Sequence, residues 1–224
     1  MTGTRTERLA EHYAELHAER ERSWEPAKLA RNIAQRRELV EKFNHEAIAQ
    51  PGDRLDATIT LVDVDSGEFQ LGDLVAGGPA VLIFFRFAGC PACNLALPYY
   101  DRNLWPALDK AGIQLVAVSP QRPQGLKAIR ERHQLGFRVA SDPHNGLARR
   151  LGVAFVPSDA PQPTPGWIGE LTGTGTGELP QPTILVIERD LTIRSIQVSP
   201  DWLVRPEADE ILANLPEVEA KAVA

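Results

Sequence analysis

A chain of 224 residues, 43% of them hydrophobic, can bury one substantial core and carry an added subdomain. Its formal charge of −6 leaves no basic footprint for nucleic acid, and no apolar run approaches the roughly 18 residues of a membrane span. Its 2 cysteines are too few for a disulfide scaffold, and the N-terminal stretch lacks the apolar core of a secretory signal, so a cytoplasmic protein is expected.

Residues 4–49 predict two helices. Leu9, Tyr13 and Leu16 share a face of the first, and Leu29, Ile33, Val40 and Phe43 follow helical spacing after Pro26. With 9 acidic and 9 basic residues, this pair has no net charge sign to attract a polyanion or membrane. It is expected to dock on the body or on a second copy of the chain, which leaves a homodimer open. Pro51-Gly52 ends the helices, and the period changes. DATITLVDV alternates apolar and polar residues and turns through Asp65-Ser66-Gly67 into GEFQL, a predicted hairpin.

Residues 80–87 form a nearly continuous apolar run, the mark of a strand covered on both faces. A helix over about 91–108 is expected to bend or break at Pro98 and Pro106. A second buried strand follows at 113–119, then a helix closed by Gly136, a short strand and a short helix closed by Gly152. Residues 156–182 carry 6 prolines and 5 glycines without periodicity, and a loop this long inside a domain is usually functional or disordered. Two strands form a last hairpin, and RPEADEILANL is the closing helix, with Leu212 and Leu215 on its apolar side. Right-handed crossovers make the two strongest strands parallel neighbours. The predicted fold is a three-layer α/β sandwich with a mixed central sheet, an N-terminal helical hairpin and an N-terminal β-hairpin. Its parts are a helical extension (1–50), the main domain (51–216) and a tail (217–224).

Both cysteines lie in RFAGCPACN. Zinc needs four ligands, and the five histidines supply no second compact pair beyond His12 and His17, so no metal is expected. A buried inert pair is a second reading. Redox chemistry is the third and strongest, because Cys90 follows a buried strand and opens a helix. There free N–H groups and the helix dipole favour a thiolate, and Pro91 at the first helical position loses nothing. Cys93, one turn on, is expected to lie deeper and stay more protonated. Cys90 is thus read as the attacking thiol and Cys93 as the resolving one. Gln181-Pro182-Thr183 enters a strand, and a cis bond there would bring the Gln181 backbone to the sulfurs.

Several segments together resemble the peroxiredoxin-like proteins of the AhpC/TSA group within the thioredoxin-fold superfamily. They are PGDRLDATITLVDVDSGEFQLGDL, VLIFFRFAGCPACNLAL, LVAVSPQRPQGLKAIRERH, SDPHNGLARRLGV and LPQPTILVIERDLTIRSIQVSPDW, in that order. The resemblance runs from about Gly52 to Leu215 and implies a thioredoxin-like domain. It further implies a thiol peroxidase that reduces hydroperoxides through a Cys90/Cys93 cycle, needs no cofactor and is regenerated by a thioredoxin-type reductant. The family usually has Thr or Ser three residues before the peroxidatic cysteine, Pro seven before it and Arg before the late strand. Here those positions hold Phe87, Ile83 and Pro182, which leaves Arg86 as the nearest donor for peroxide. CPAC with Pro182-Thr183 resembles thiol–disulfide reductases instead, although Gly89 stands where thioredoxins carry tryptophan. A small disulfide is therefore the alternative substrate, and a specialised biosynthetic or binding role is the remainder. Ser119, at the same sheet edge, and Trp167, in the long loop, are further candidates for lining the site. His144 is expected to be solvated, and Tyr99 and Tyr100 to lie in the core or at a subunit contact.

Overall fold

The computed structural model describes residues 7–158, 169–171 and 175–215. Its framework is a seven-stranded sheet. In chain order the strands are β1 (Thr60–Asp63), β2 (Gly67–Gln70), β3 (Ala80–Phe84), β4 (Gln114–Ser119) and β5 (Arg138–Ser141). The short β6 (Ala154–Phe155) and β7 (Leu179–Pro180) come next, then β8 (Thr183–Ile187) and β9 (Ile193–Val198). The main sheet runs β2-β1-β5-β4-β3-β8-β9. β3 pairs in parallel with β4, and β4 with β5, whereas β8 and β9 run antiparallel at one side and the β1–β2 hairpin at the other. The sheet is mixed, as expected.

With both faces covered, β3 is apolar throughout, β4 is apolar between Gln114 and Ser119, and β8 is apolar after Thr183. Val81, Ile83, Leu115, Ala117, Ile184 and Val186 enter one core. Leu82, Phe84, Val116, Val118, Leu185 and Ile187 enter the other. The first face is covered by α1 (Leu9–Ser23), α4 (Pro91–Asn103), α5 (Trp105–Ala111), α6 (Pro123–His133) and α8 (Ala208–Ala213). On the second lie α3 (Leu71–Leu74) and α7 (Gly146–Arg150). Tyr99 and Tyr100 are both core residues.

Four expectations shift in detail. Pro98 sits inside α4 without ending it, and the break falls at Leu104, where Pro106 occupies the first turn of α5. In α2 (Pro26–Glu41) only Gln35 is buried and Val40 is 52% exposed, so its apolar stripe is partly solvated. The long loop is shorter than 156–182, because β7 pairs with β6 through Ala154–Pro180 and Phe155–Leu179. The closing helix begins at Ala208, three residues after Arg205.

Gly152 closes α7 with φ +74°, and a Cβ there would lie 2.3 Å from the Ala47 carbonyl oxygen. The close approach lets Ala49 donate its N–H to Leu151 O at 3.0 Å, fastening the end of the N-terminal extension to the domain. Gly152→Ala should cost about 1–3 kcal/mol through left-handed strain and the backbone clash. Chemical denaturation checks this; an unchanged midpoint would mean that the 45–49 segment yields freely.

Candidate active site

After β3 the chain bends through a short loop whose polar atoms are nearly all tied down. Ser119 Oγ donates to Arg86 O at 3.0 Å, and the Ala88 N–H donates to Gln121 Oε1 at 2.8 Å. Asn94 Nδ2 donates to Ala88 O at 2.7 Å and to Cys90 O at 2.9 Å. These bonds deliver Cys90 to the N-cap of α4, with Pro91 as the first helical residue. Gly89 adds room: a Cβ there would meet Phe87 Cε2 at 3.3 Å. Gly89 and Pro91 are exposed, while Cys90 is 2% and Cys93 0% accessible.

Both cysteines are free thiols, with their sulfurs hydrogen-bonded 2.7 Å apart. The Cys93 N–H caps back onto Cys90 Sγ at 3.4 Å. On the far side, Arg205 Nη2 donates to Cys93 Sγ at 3.4 Å. Arg205 is 8% accessible, and among the described residues it has no carboxylate partner. Burial works against its charge, but the Tyr13 hydroxyl and the two sulfurs outweigh it and hold the guanidinium above its ordinary value.

This arrangement reverses the expected order of the two thiols. Burial pushes Cys90 up, and sharing a proton with Cys93 pushes it further, against the pull of Arg86 and Arg205. For Cys93, burial again opposes ionisation, but the hydrogen bond with Cys90 and the Arg205 guanidinium prevail and hold it down. The sulfur–sulfur hydrogen bond comes first in lowering Cys93 and the adjoining buried cation adds to it, and in so dry a setting the two outweigh a helix dipole. The shifts favour the negative charge on Cys93 and the proton on Cys90.

A roof from outside the sheet covers the pair. Glu207 accepts the N–H groups of Leu9 and Ala10, at 2.9 and 3.0 Å, and the Tyr99 hydroxyl at 2.6 Å, pinning the start of α1. One turn along, the Tyr13 hydroxyl donates to Ala92 O at 3.3 Å. Further along, the Arg20 guanidinium stands 5.2 Å from the Trp202 ring, with Arg86 5.4 Å from the same ring.

The sequence-predicted residues fall into three groups. Cys90, Cys93 and Pro91 come together, with Phe87, Gly89 and Ser119 building the loop around them. The Arg86 side chain turns to Phe87 and Trp202, and its Nε is buried without a partner. None of the hydrogen bonds made by either sulfur goes to its guanidinium. Thr183 pairs with Phe84 in the ladder, which carries Gln181 and Pro182 to the sheet edge where the loop starts. Gln181 is buried, but its Oε1 has no partner, and none of the hydrogen bonds made by either sulfur goes to it. Trp167 lies outside the described residues. His144 is exposed in a turn with φ 57°.

Arg205, Trp202 and Tyr13 were missed. The one available signal is an arginine set between Leu203-Val204 and Pro206, a cation in apolar surroundings just ahead of a helix. Among the described residues, no group of three His, Cys, Asp or Glu could hold a metal, and no helix is long and apolar enough to cross a membrane.

The AhpC/TSA family model matches residues 52–196. The chain belongs to the AhpC/TSA family. A putative peroxiredoxin of Mycobacterium tuberculosis is 32% identical over 103 residues, which are 46% of this chain and 64% of that protein. A putative peroxiredoxin of Coxiella burnetii is 26% identical over 97 residues, 43% of this chain and 64% of its own length. The match to each curated relative thus spans less than two thirds of that relative. Among solved structures, the peroxidoxin BcpB of M. tuberculosis superposes with a TM-score of 0.57 at 21% identity, covering 74% of this chain and 95% of that one. Peroxiredoxin Q of Xanthomonas campestris gives 0.54 at 18% identity, covering 75% and 95%. At these identities the structures establish the fold: this AhpC/TSA member has the peroxiredoxin-like thioredoxin fold.

Proposed function

We propose that the protein is a thiol-dependent peroxidase that reduces hydroperoxides through a Cys90/Cys93 dithiol–disulfide cycle. The observation that carries this reading is the hydrogen-bonded sulfur pair with a buried guanidinium on Cys93. Cys90 attacks the terminal oxygen of ROOH as its thiol proton passes to Cys93. The O–O bond breaks, Cys90 becomes a sulfenic acid, and the leaving alkoxide takes the proton back from Cys93 to depart as ROH. The Cys93 thiolate, restored beside Arg205, then attacks the Cys90 sulfur and expels hydroxide, forming the S–S bond. A thioredoxin-type reductant or another dithiol returns two electrons and two protons. A reducing compartment such as the cytoplasm suits this cycle.

Thiol–disulfide exchange is the second reading, supported by the stacking of Arg86 on Trp202 rather than over the Cys90 sulfur. The near-complete burial of both sulfurs favours a small oxidant over a protein disulfide. Two assays separate the readings: peroxide-dependent NADPH oxidation through thioredoxin reductase and thioredoxin, and reduction of insulin disulfides. The first should proceed and the second should be marginal. Insulin reduction without peroxide consumption would overturn the peroxidase reading in favour of exchange.

A further inference from the structure

A cleft of about 300 Å³ lies between α1, α2 and the segment around Leu203–Arg205, whose Arg205 touches Cys93. Its walls are of two kinds. Ala14, Leu203 and Val204 are apolar, while His17, Arg36 and Arg205 are donors. Among the described residues, no carboxylate lines it. Tyr13 also lines it, with its hydroxyl on Ala92 O, but each of the other three polar residues carries a buried atom without a hydrogen-bond partner: His17 Nδ1, Arg36 Nε and Arg205 Nη1. The neighbouring acids engage other atoms, Asp201 bonding Arg36 Nη1 at 2.9 Å and Glu21 lying 3.6 Å from His17 Nε2. Buried guanidinium N–H groups left unpaired are costly, and such a group in a cleft is normally completed by an anion.

We propose that this cleft binds the carboxylate of a short aliphatic acid, its chain against Leu203 and Val204 and its oxygens on Arg36 and Arg205. Arg205 then bridges the bound carboxylate and the Cys93 sulfur, so the site presents a carboxylate-bearing molecule to the dithiol. That molecule is either an organic hydroperoxide or a small thiol that reduces the disulfide. The link to the dithiol rests on the function proposed above; occupancy of the cleft does not.

Butyrate, with butyramide as its neutral isostere, is the probe for calorimetric titration of the full chain. Butyrate should bind more tightly, and Arg36→Gln should weaken it by about tenfold, the loss expected for a charge-assisted hydrogen bond. Asp201→Asn, which releases Arg36 from its acidic partner, should strengthen it, a gain that misfolding cannot imitate. Butyrate binding no better than butyramide, or indifferent to both variants, overturns the site.

The source of the carboxylate is read from two rate comparisons. One sets 4-hydroperoxy-4-methylpentanoate against tert-butyl hydroperoxide in the oxidation step. The other sets 3-mercaptopropionate against 2-mercaptoethanol in the reduction step. A carboxylate preference that Arg36→Gln removes identifies the step served. Butyrate binding without preference in either comparison overturns the link to the dithiol. A chain without peroxidase activity would still bind butyrate, so the two proposals fail separately.

Discussion

Cys90→Ser should abolish peroxide turnover, by at least about a thousandfold, while Cys93→Ser should still undergo a single oxidation per chain. The asymmetry follows from position. Cys90 is the N-cap sulfur beneath the exposed Gly89 and Pro91, whereas Cys93 is sealed beneath it against Arg205. Without Cys90, the remaining thiolate is ion-paired but out of reach of the peroxide. Without Cys93, Cys90 can still be oxidised, more slowly because its proton acceptor is gone, and then waits as a sulfenic acid. Trapping sulfenic acid with a carbon nucleophile after one addition of peroxide reads both variants. Equal first-round consumption of peroxide by the two would remove the assigned roles.

The second large effect is expected from Arg205→Met. Loss of a charge-assisted bond to the Cys93 thiolate should slow disulfide formation by about 10–100-fold. Stability should move far less, within about 1 kcal/mol, because a buried cation without a carboxylate partner contributes little net stability and the sulfur left behind simply takes up a proton. The pH dependence separates this from general damage. A thiol whose folded pKa is depressed adds stability that is fully present above the unfolded value of about 8.5 and is lost as pH falls through the folded one. Cys90, raised in the fold, has the opposite sign: its share is present below about pH 8.5 and is lost as pH rises through its folded value. Wild type should therefore lose stability relative to Arg205→Met as pH drops below about 8.5. A parallel pair of stability–pH curves would show that Arg205 does not hold the Cys93 charge.

The strands and the thiol pair were legible because each depends on local pattern. Ala80–Phe84 is apolar at every position since both its faces are covered, and Cys90-Pro91 carries the signature of a helix start. The order of the thiol charges was not legible. It depends on the hydrogen bond between the sulfurs and on a guanidinium 112 residues from Cys93, brought there by the packing of the 202–207 segment against α1 and α4. Proline gave half its information: Pro106 marked the start of α5, but Pro98 is tolerated because α4 keeps enough other hydrogen bonds and a buried face. The Val40 stripe misled for a related reason. Helical spacing reports that a face is apolar and says nothing of whether another element covers it.

Glu207 ties the start of α1 to Tyr99, and so fixes which parts of the chain act on the sulfurs. The segment shared with the family ends at residue 196 and begins at 52. Arg205, which charges Cys93, Tyr13, which roofs it, and Trp202, which gathers Arg20 and Arg86, all lie beyond those limits. The matched domain therefore carries both sulfurs, while the flanks bring the Arg205 guanidinium to Cys93 and the Tyr13 hydroxyl to Ala92.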